Sequence, residues 1–214
     1  MSSDRDFDRN KIIRKKLKAF PSDSIKGLVF DIDAFNADYP EDMFINANEL
    51  VLNFTMEGPE DTLWEGKKYK GSFNFPRGFP MAPPTVKFKE NLYHPNVYAR
   101  GEVCISILHA GHDSSNYESD NVRWSPIHTP SSIMASIMLI FDKPNINSPA
   151  NVDASIMFQH NPTALRKLIN GEMTRDEAMT ETQKIRGKSD IYYSENEDEG
   201  EGGNENEDYD SDDN

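Results

Sequence analysis

Three short runs, ELVLNFTM (49–56), YKGSFNF (69–75) and TVKF (85–88), decide the fold. Tyr69–Phe75 alternates aromatic with small or polar residues, the period of two expected of a half-buried strand. Gly58-Pro59 punctuates the chain between the first two runs, and Phe75-Pro76 closes the second. The stretch Pro80-Met81-Ala82-Pro83-Pro84 carries too many prolines for a hydrogen-bonded ladder and reads as a rigid loop. Upstream, Leu28–Ile32 also alternates, and a polar turn over Asn36–Asp42 leads into the first run. Four strands at this spacing form an antiparallel meander.

Outside the meander the period changes. Asp4–Phe20 reads as a helix, with acids at its start, bases near its end and an apolar stripe of Ile13, Leu17 and Phe20. Seven bases between Arg5 and Lys18 predict a positive outer face. Residues 89–110 show no long periodicity, yet hold Tyr93, His94, Val97, Val103, Ile105 and Leu108, an irregular segment that packs. Asp113–Asn121 is a polar, acidic loop. Ser131–Phe141 is the most apolar segment and reads as a buried helix between Pro130 and Pro144. Ala150–Phe158, Asn161–Ile169 and Thr174–Ile185 read as further helices. Strands followed by helices, with no internal repeat, predict an α+β fold.

Composition narrows the function classes. The 214 residues carry a net charge of −14, which argues against a general nucleic-acid binder. A single cysteine excludes an internal disulfide and fits a reducing compartment, cytoplasmic or nuclear. No apolar run approaches the ~20 residues of a membrane span, and Met1–Asn10 lacks the apolar segment of a signal peptide. Five scattered histidines and one cysteine offer no metal-ligand spacing. The charge is uneven. Glu195–Asn214 holds 11 acids and no base, so residues 1–194 carry only −3. Too few apolar side chains remain there to offset ordering entropy, so the expected division is a folded domain over 1–186 and a disordered acidic tail over 187–214.

The chemistry centres on Cys104. A lone cysteine is ordinarily a small buried apolar residue, but His94-Pro95-Asn96 stands just upstream and Asn96 offers an amide donor. A thiol with a nearby amide suits acyl transfer, in which the thiolate attacks a carbonyl, the oxygen gains charge, and an amine later displaces the sulfur. A cysteine hydrolase using His109 or His112 as base is the other chemistry these residues could serve.

The run Phe75-Pro76-Arg77-Gly78-Phe79-Pro80-Met81-Ala82-Pro83-Pro84, then His94-Pro95-Asn96, then Gly101-Glu102-Val103-Cys104-Ile105, resembles the core of the ubiquitin-conjugating enzymes. Trp124-Ser125-Pro126, Pro144-Asn145 and Ser148-Pro149-Ala150-Asn151 continue the likeness over roughly residues 5–170. An insertion between Cys104 and Trp124, with the acidic tail, makes it most similar to the cell-division-cycle-34 class. The resemblance implies that Cys104 receives ubiquitin from an activating enzyme as a thioester and passes it to a substrate lysine. It implies that Asn96 stabilises the oxyanion or braces the nearby loop, and that His94 is a packing and hydrogen-bonding residue rather than a base. Met81, Pro126 and Ile127 would form the apolar patch that meets a RING-type ligase. The basic helix face, Arg5 and Arg9 included, would meet the activating enzyme and the ligase. The Ser131–Phe141 helix would cover the donor ubiquitin. No cofactor is implied, ATP being used by the upstream activating enzyme.

Departures from the family pattern are informative. Many members carry aspartate two residues after the cysteine and before the proline of the later loop, where this chain has Ser106 and Ser148. Such carboxylates orient the incoming lysine and help it lose its proton. Asp113, Glu118 and Asp120 of the inserted loop are the candidates to replace them. In the resembling class the acidic tail engages a basic cleft of a cullin scaffold. An inactive ubiquitin-binding relative and a conjugating enzyme for a ubiquitin-like modifier are the neighbouring readings; the presence of both Cys104 and Asn96 disfavours the inactive one.

Overall fold

The computed structural model describes residues 3–19, 25–41, 47–90, 92–115 and 118–197, with the side chains of 3–8 and 188–197 excepted. In chain order the elements are helix α1 (Ser3–Ala19), strand β1 (Leu28–Phe30), helix α2 (Ile32–Asp38), strands β2 (Glu49–Glu57), β3 (Lys68–Pro76) and β4 (Thr85–Phe88), and helices α3 (Pro130–Asp142), α4 (Val152–His160), α5 (Pro162–Asn170) and α6 (Arg175–Glu197). The sheet runs β1-β2-β3-β4, antiparallel throughout, with Leu50 opposite Phe75, Leu52 opposite Phe73 and Phe54 opposite Gly71.

The period-two pattern is realised directly. Leu50, Leu52, Phe54 and Met56 of β2, and Tyr69, Phe73 and Phe75 of β3, are buried on one face. Gly71 belongs to that face because the Phe54 ring passes over it. A Cβ there would lie 2.3 Å from that ring, and the space lets Phe54 meet Phe73 and Phe88 edge to face, each at 5.7 Å. Helix α3 closes the face with Ile133, Met134, Ile137 and Phe141. Thr129 caps it. Thr129 Oγ1 accepts from the Ser132 N–H, while Ser132 Oγ accepts from the Thr129 N–H, and Pro130 fills the first turn where no N–H is needed. Phe141 meets Trp64, Tyr69 and Phe88, locking the helix over the sheet.

Three expectations are corrected. The polar stretch after β1 is not a simple turn: β1 ends at Phe30 and α2 begins at Ile32, with residues 42–46 outside the described ones. Asp31 starts the helix by accepting from the Ala34 N–H at 3.1 Å, and Phe35 anchors it in the core beneath the Arg14 guanidinium. Secondly, α6 continues to Glu197, so residues 187–197 are helical rather than tail; residues 198–214 lie outside those described. No proline interrupts this stretch.

The third correction concerns Arg9. It does not lie on an exposed basic face but is 1% exposed. It sits one turn before Ile13 and two before Leu17, on the buried stripe itself. Its guanidinium donates to the carbonyls of Ala47 (2.9 Å), Asn48 and Phe75 (3.2 Å each), tying α1 to the ends of β2 and β3. A ligase or activating-enzyme contact through Arg9 is therefore ruled out by burial. The Arg5 side chain lies outside the described residues.

Candidate active site

Cys104 stands at the end of a tight excursion from the sheet. Val97 and Val103 bridge antiparallel, Val103 N–H donates to Val86 O, and Gly101 makes the turn at φ +91°. A side chain at 101 would lie 2.3 Å from Phe88 O, so the close approach requires glycine. The Cys104 N–H donates to Asn96 O at 2.9 Å, which joins the cysteine to the His-Pro-Asn segment by backbone. The thiol is half-buried, in a cavity of about 230 Å³ lined by Pro84, Thr85, Tyr98, Leu108 and His109 among others.

His94 is fully buried between Trp64 and Phe141. Its Nδ1 accepts from the Asn96 N–H at 2.9 Å, so the proton sits on Nε2, which donates to Ile140 O at 3.0 Å. Burial pushes its pKa down to about 3, against a smaller upward pull from the Ile140 carbonyl. The ring is a neutral structural bracket linking the segment to α3. Asn96 is 2% exposed. Its Nδ2 donates to Asn145 O and its Oδ1 accepts from the Asn145 N–H, both at 2.8 Å. Of the two roles expected of Asn96, this geometry is the brace; an oxyanion contact requires that pair to open. Asn145 in turn accepts from the Asn147 and Ser148 N–H groups, so exposed Ser148 rides on the braced loop.

After Cys104 a 3-10 turn over Ser106–Leu108 bends the chain back, and the Trp124 N–H fixes His109 O at 3.0 Å. The three acids of the inserted loop separate into different jobs. Asp113 staples the loop to itself, accepting from the Ser115 N–H and hydroxyl and from the Glu118 N–H. Asp120 pairs with His112 at the surface, 2.9 Å away. Glu118 points inward, accepting from Ser106 Oγ at 2.7 Å and facing His109 Nδ1 at 2.9 Å, with the Arg123 guanidinium against the same carboxylate. Burial alone would raise the Glu118 pKa. The hydrogen bonds from Ser106 and His109, with the charges of His109 and Arg123, outweigh it and hold the carboxyl below its usual range.

Two residues that the motif reading did not assign to acyl transfer lie against the sulfur. The Tyr98 hydroxyl donates to Sγ at 3.6 Å, and His109 Nε2 is 3.5 Å from Sγ. The hydrogen bond to Cys104, the charge there, partial burial and Glu102 push the phenol's pKa up, with Arg100 opposing. The signal for His109 was its place five residues past Cys104; what was invisible was the carboxylate nine residues further on.

On a second flank, Trp124 Nε1 donates to Pro80 O at 3.0 Å and holds the proline loop beside the 125–128 loop. Lys16 of α1 joins them, donating to Pro126 O and His128 O at 2.6 and 2.8 Å. Met81 and Ile127, 76% and 77% exposed, and exposed Pro126 ride on these tied loops.

Comparison with known proteins points to one family. The family model described as Ubiquitin-conjugating enzyme matches residues 30–173. The chain is 38% identical over 159 residues to "Ubiquitin-conjugating enzyme E2 15" of Schizosaccharomyces pombe, covering 74% of this chain and 89% of that protein. It is 39% identical over 147 residues to "Ubiquitin-conjugating enzyme E2-34 kDa" of Saccharomyces cerevisiae, covering 67% of this chain and 48% of that one. A solved structure of human Ubiquitin-conjugating enzyme E2 G1 is 32% identical, covers 63% of this chain and 95% of its own, and has a TM-score of 0.47. With its meander, the braced His94-Pro95-Asn96 segment and the half-buried thiol it leads to, the chain belongs to the ubiquitin-conjugating enzyme family.

Proposed function

We propose that Cys104 accepts the C-terminal carboxyl of ubiquitin from an activating enzyme as a thioester and surrenders it to a substrate lysine. One observation carries this reading. In a chain of this family, the only thiol is accessible in a cleft and is joined by its own backbone N–H to the His-Pro-Asn segment. The exposed Met81, Pro126 and Ile127, on loops tied together through Trp124, supply an apolar patch suited to a RING-type ligase. Leu139, 60% exposed on the outer side of α3, is the corresponding apolar group for the donor ubiquitin. The chain takes no cofactor of its own in this reading, ATP being used by the activating enzyme.

The inserted loop and the acid-rich C-terminal sequence support a reading as a member of the cell-division-cycle-34 class working with a cullin-type RING ligase in the cytoplasm, the nucleus or both. The tail's charge would speed encounter with a basic scaffold, an effect that weakens with salt. The loop acids Asp113, Glu118 and Asp120 would position the acceptor lysine in place of the aspartates absent at Ser106 and Ser148.

The test is a charging assay with activating enzyme, ATP and ubiquitin, read on gels with and without reductant. A reducible band lost in Cys104→Ala is expected. Its absence with ubiquitin but presence with a ubiquitin-like modifier would reassign the cargo. Its absence with every modifier would leave only an inactive binding relative.

A further inference from the structure

The groups around Cys104 form a directed chain of hydrogen bonds. On one side the Tyr98 hydroxyl donates to Sγ. On the other, Sγ faces His109 Nε2 at 3.5 Å. The thiol's own hydrogen needs an acceptor, and whether Nε2 is one depends on the tautomer. Nδ1 decides it. It lies 2.9 Å from Glu118 Oε2, and an ionised carboxylate offers only lone pairs, so Nδ1 carries the hydrogen. Nε2 then presents its lone pair to the sulfur.

The Glu118 carboxylate is itself held by two groups besides His109. Ser106 Oγ donates to Oε1, Arg123 pairs with Oε2, and Arg123 is anchored on Gly111 O (2.8 Å) and Ala110 O (3.0 Å). An aspartate at 106 would set a second negative charge within hydrogen-bond reach of Glu118, so the serine found there fits this arrangement.

We propose that His109 is the proton acceptor for the Cys104 thiol, with Glu118 as the positioning residue that sets its tautomer. The proposal rests on the thioester reading above. The S–H proton passes to Nε2 as Sγ bonds to the carbonyl carbon of the incoming polypeptide thioester. That carbon's bond to the delivering enzyme's sulfur breaks, the sulfur leaves with the electron pair, and the proton on His109 goes on to it, restoring the neutral ring.

Cys104 is the sole cysteine, so iodoacetamide alkylation followed by mass spectrometry reads it without ubiquitin or a partner. An ordinary thiol is only a few per cent ionised at pH 7, which bounds the assistance at about 30-fold. The expected result is alkylation about 10-fold slower at pH 7 in His109→Gln, with recovery of rate on adding free imidazole. Glu118→Gln, which keeps the side chain's shape, should slow alkylation about 3-fold and carries the test if His109→Gln fails to fold. Alkylation of either folded variant at the wild-type rate across pH 5.5–9 would overturn the proposal. Charging by activating enzyme is measured in parallel. Wild-type protein that charges while the variants alkylate normally sinks this proposal alone, whereas wild-type protein that never charges sinks the proposed function and leaves the alkylation profile to decide the proton acceptor.

Discussion

Two histidines stand on either side of Cys104 in the sequence and are held in opposite ways. His94 lies upstream, buried among Trp64 and Phe141, and spends both nitrogens on backbone atoms. His109 lies downstream, a third exposed, and spends one nitrogen on a carboxylate while the other faces the thiol. The first region is fixed by apolar burial that desolvates its ring, the second by a polar network at the surface. Burial makes a histidine inert near neutral pH, whereas a partly solvated, carboxylate-oriented ring keeps a usable lone pair.

The comparison breaks most readily at His94. His94→Ala empties a cavity beside Trp64 and strips partners from Asn96 N–H and Ile140 O; a loss of about 3–5 kcal/mol is expected in urea denaturation. The same ring predicts the acid response. Its folded pKa, about 3, lies below the ordinary 6.5, so between those values the unfolded chain binds a proton that the folded one does not. Stability is full above pH 6.5 and falls as pH drops, by about 1.4 kcal/mol per unit from this group. Subtracting the profile of His94→Gln isolates the slope; identical slopes would show that the ring is not neutral.

A smaller effect separates the brace from the thiol. Asn96→Ala should cost about 1–2 kcal/mol and raise backbone hydrogen exchange over 143–148, the loop its amide holds. Unchanged exchange there would show that the two Asn145 bonds are not what orders the loop. Smallest in stability is the downstream network. Arg123→Gln should lower stability by only about 1 kcal/mol, since glutamine keeps an amide donor toward the same carboxylate, yet slow Cys104 alkylation as Glu118 loosens. A large stability loss with normal alkylation would make the network structural, like its upstream counterpart.

The strands were legible because burial on one face of a sheet writes itself as a period of two, and the Ser131–Phe141 helix because it is apolar over whole turns. Helix α2 was not, since one capping carboxylate (Asp31) and one anchoring ring (Phe35) create it from otherwise polar residues. Arg9 was misplaced for the converse reason. Charge predicts exposure, but carbonyls from two strand ends gather around its guanidinium.

What the residues alone determined was the meander, the order of strands then helices, and a thiol beside a His-Pro-Asn segment, because local periodicity and motif spacing encode these. Tertiary structure decided which way each polar group faces: Asn96 toward Asn145, Arg9 into the core, and His109 onto Cys104 with Glu118 behind it. Those contacts join residues across irregular loops, where no repeat relates one position to the next and only the folded chain sets the distance.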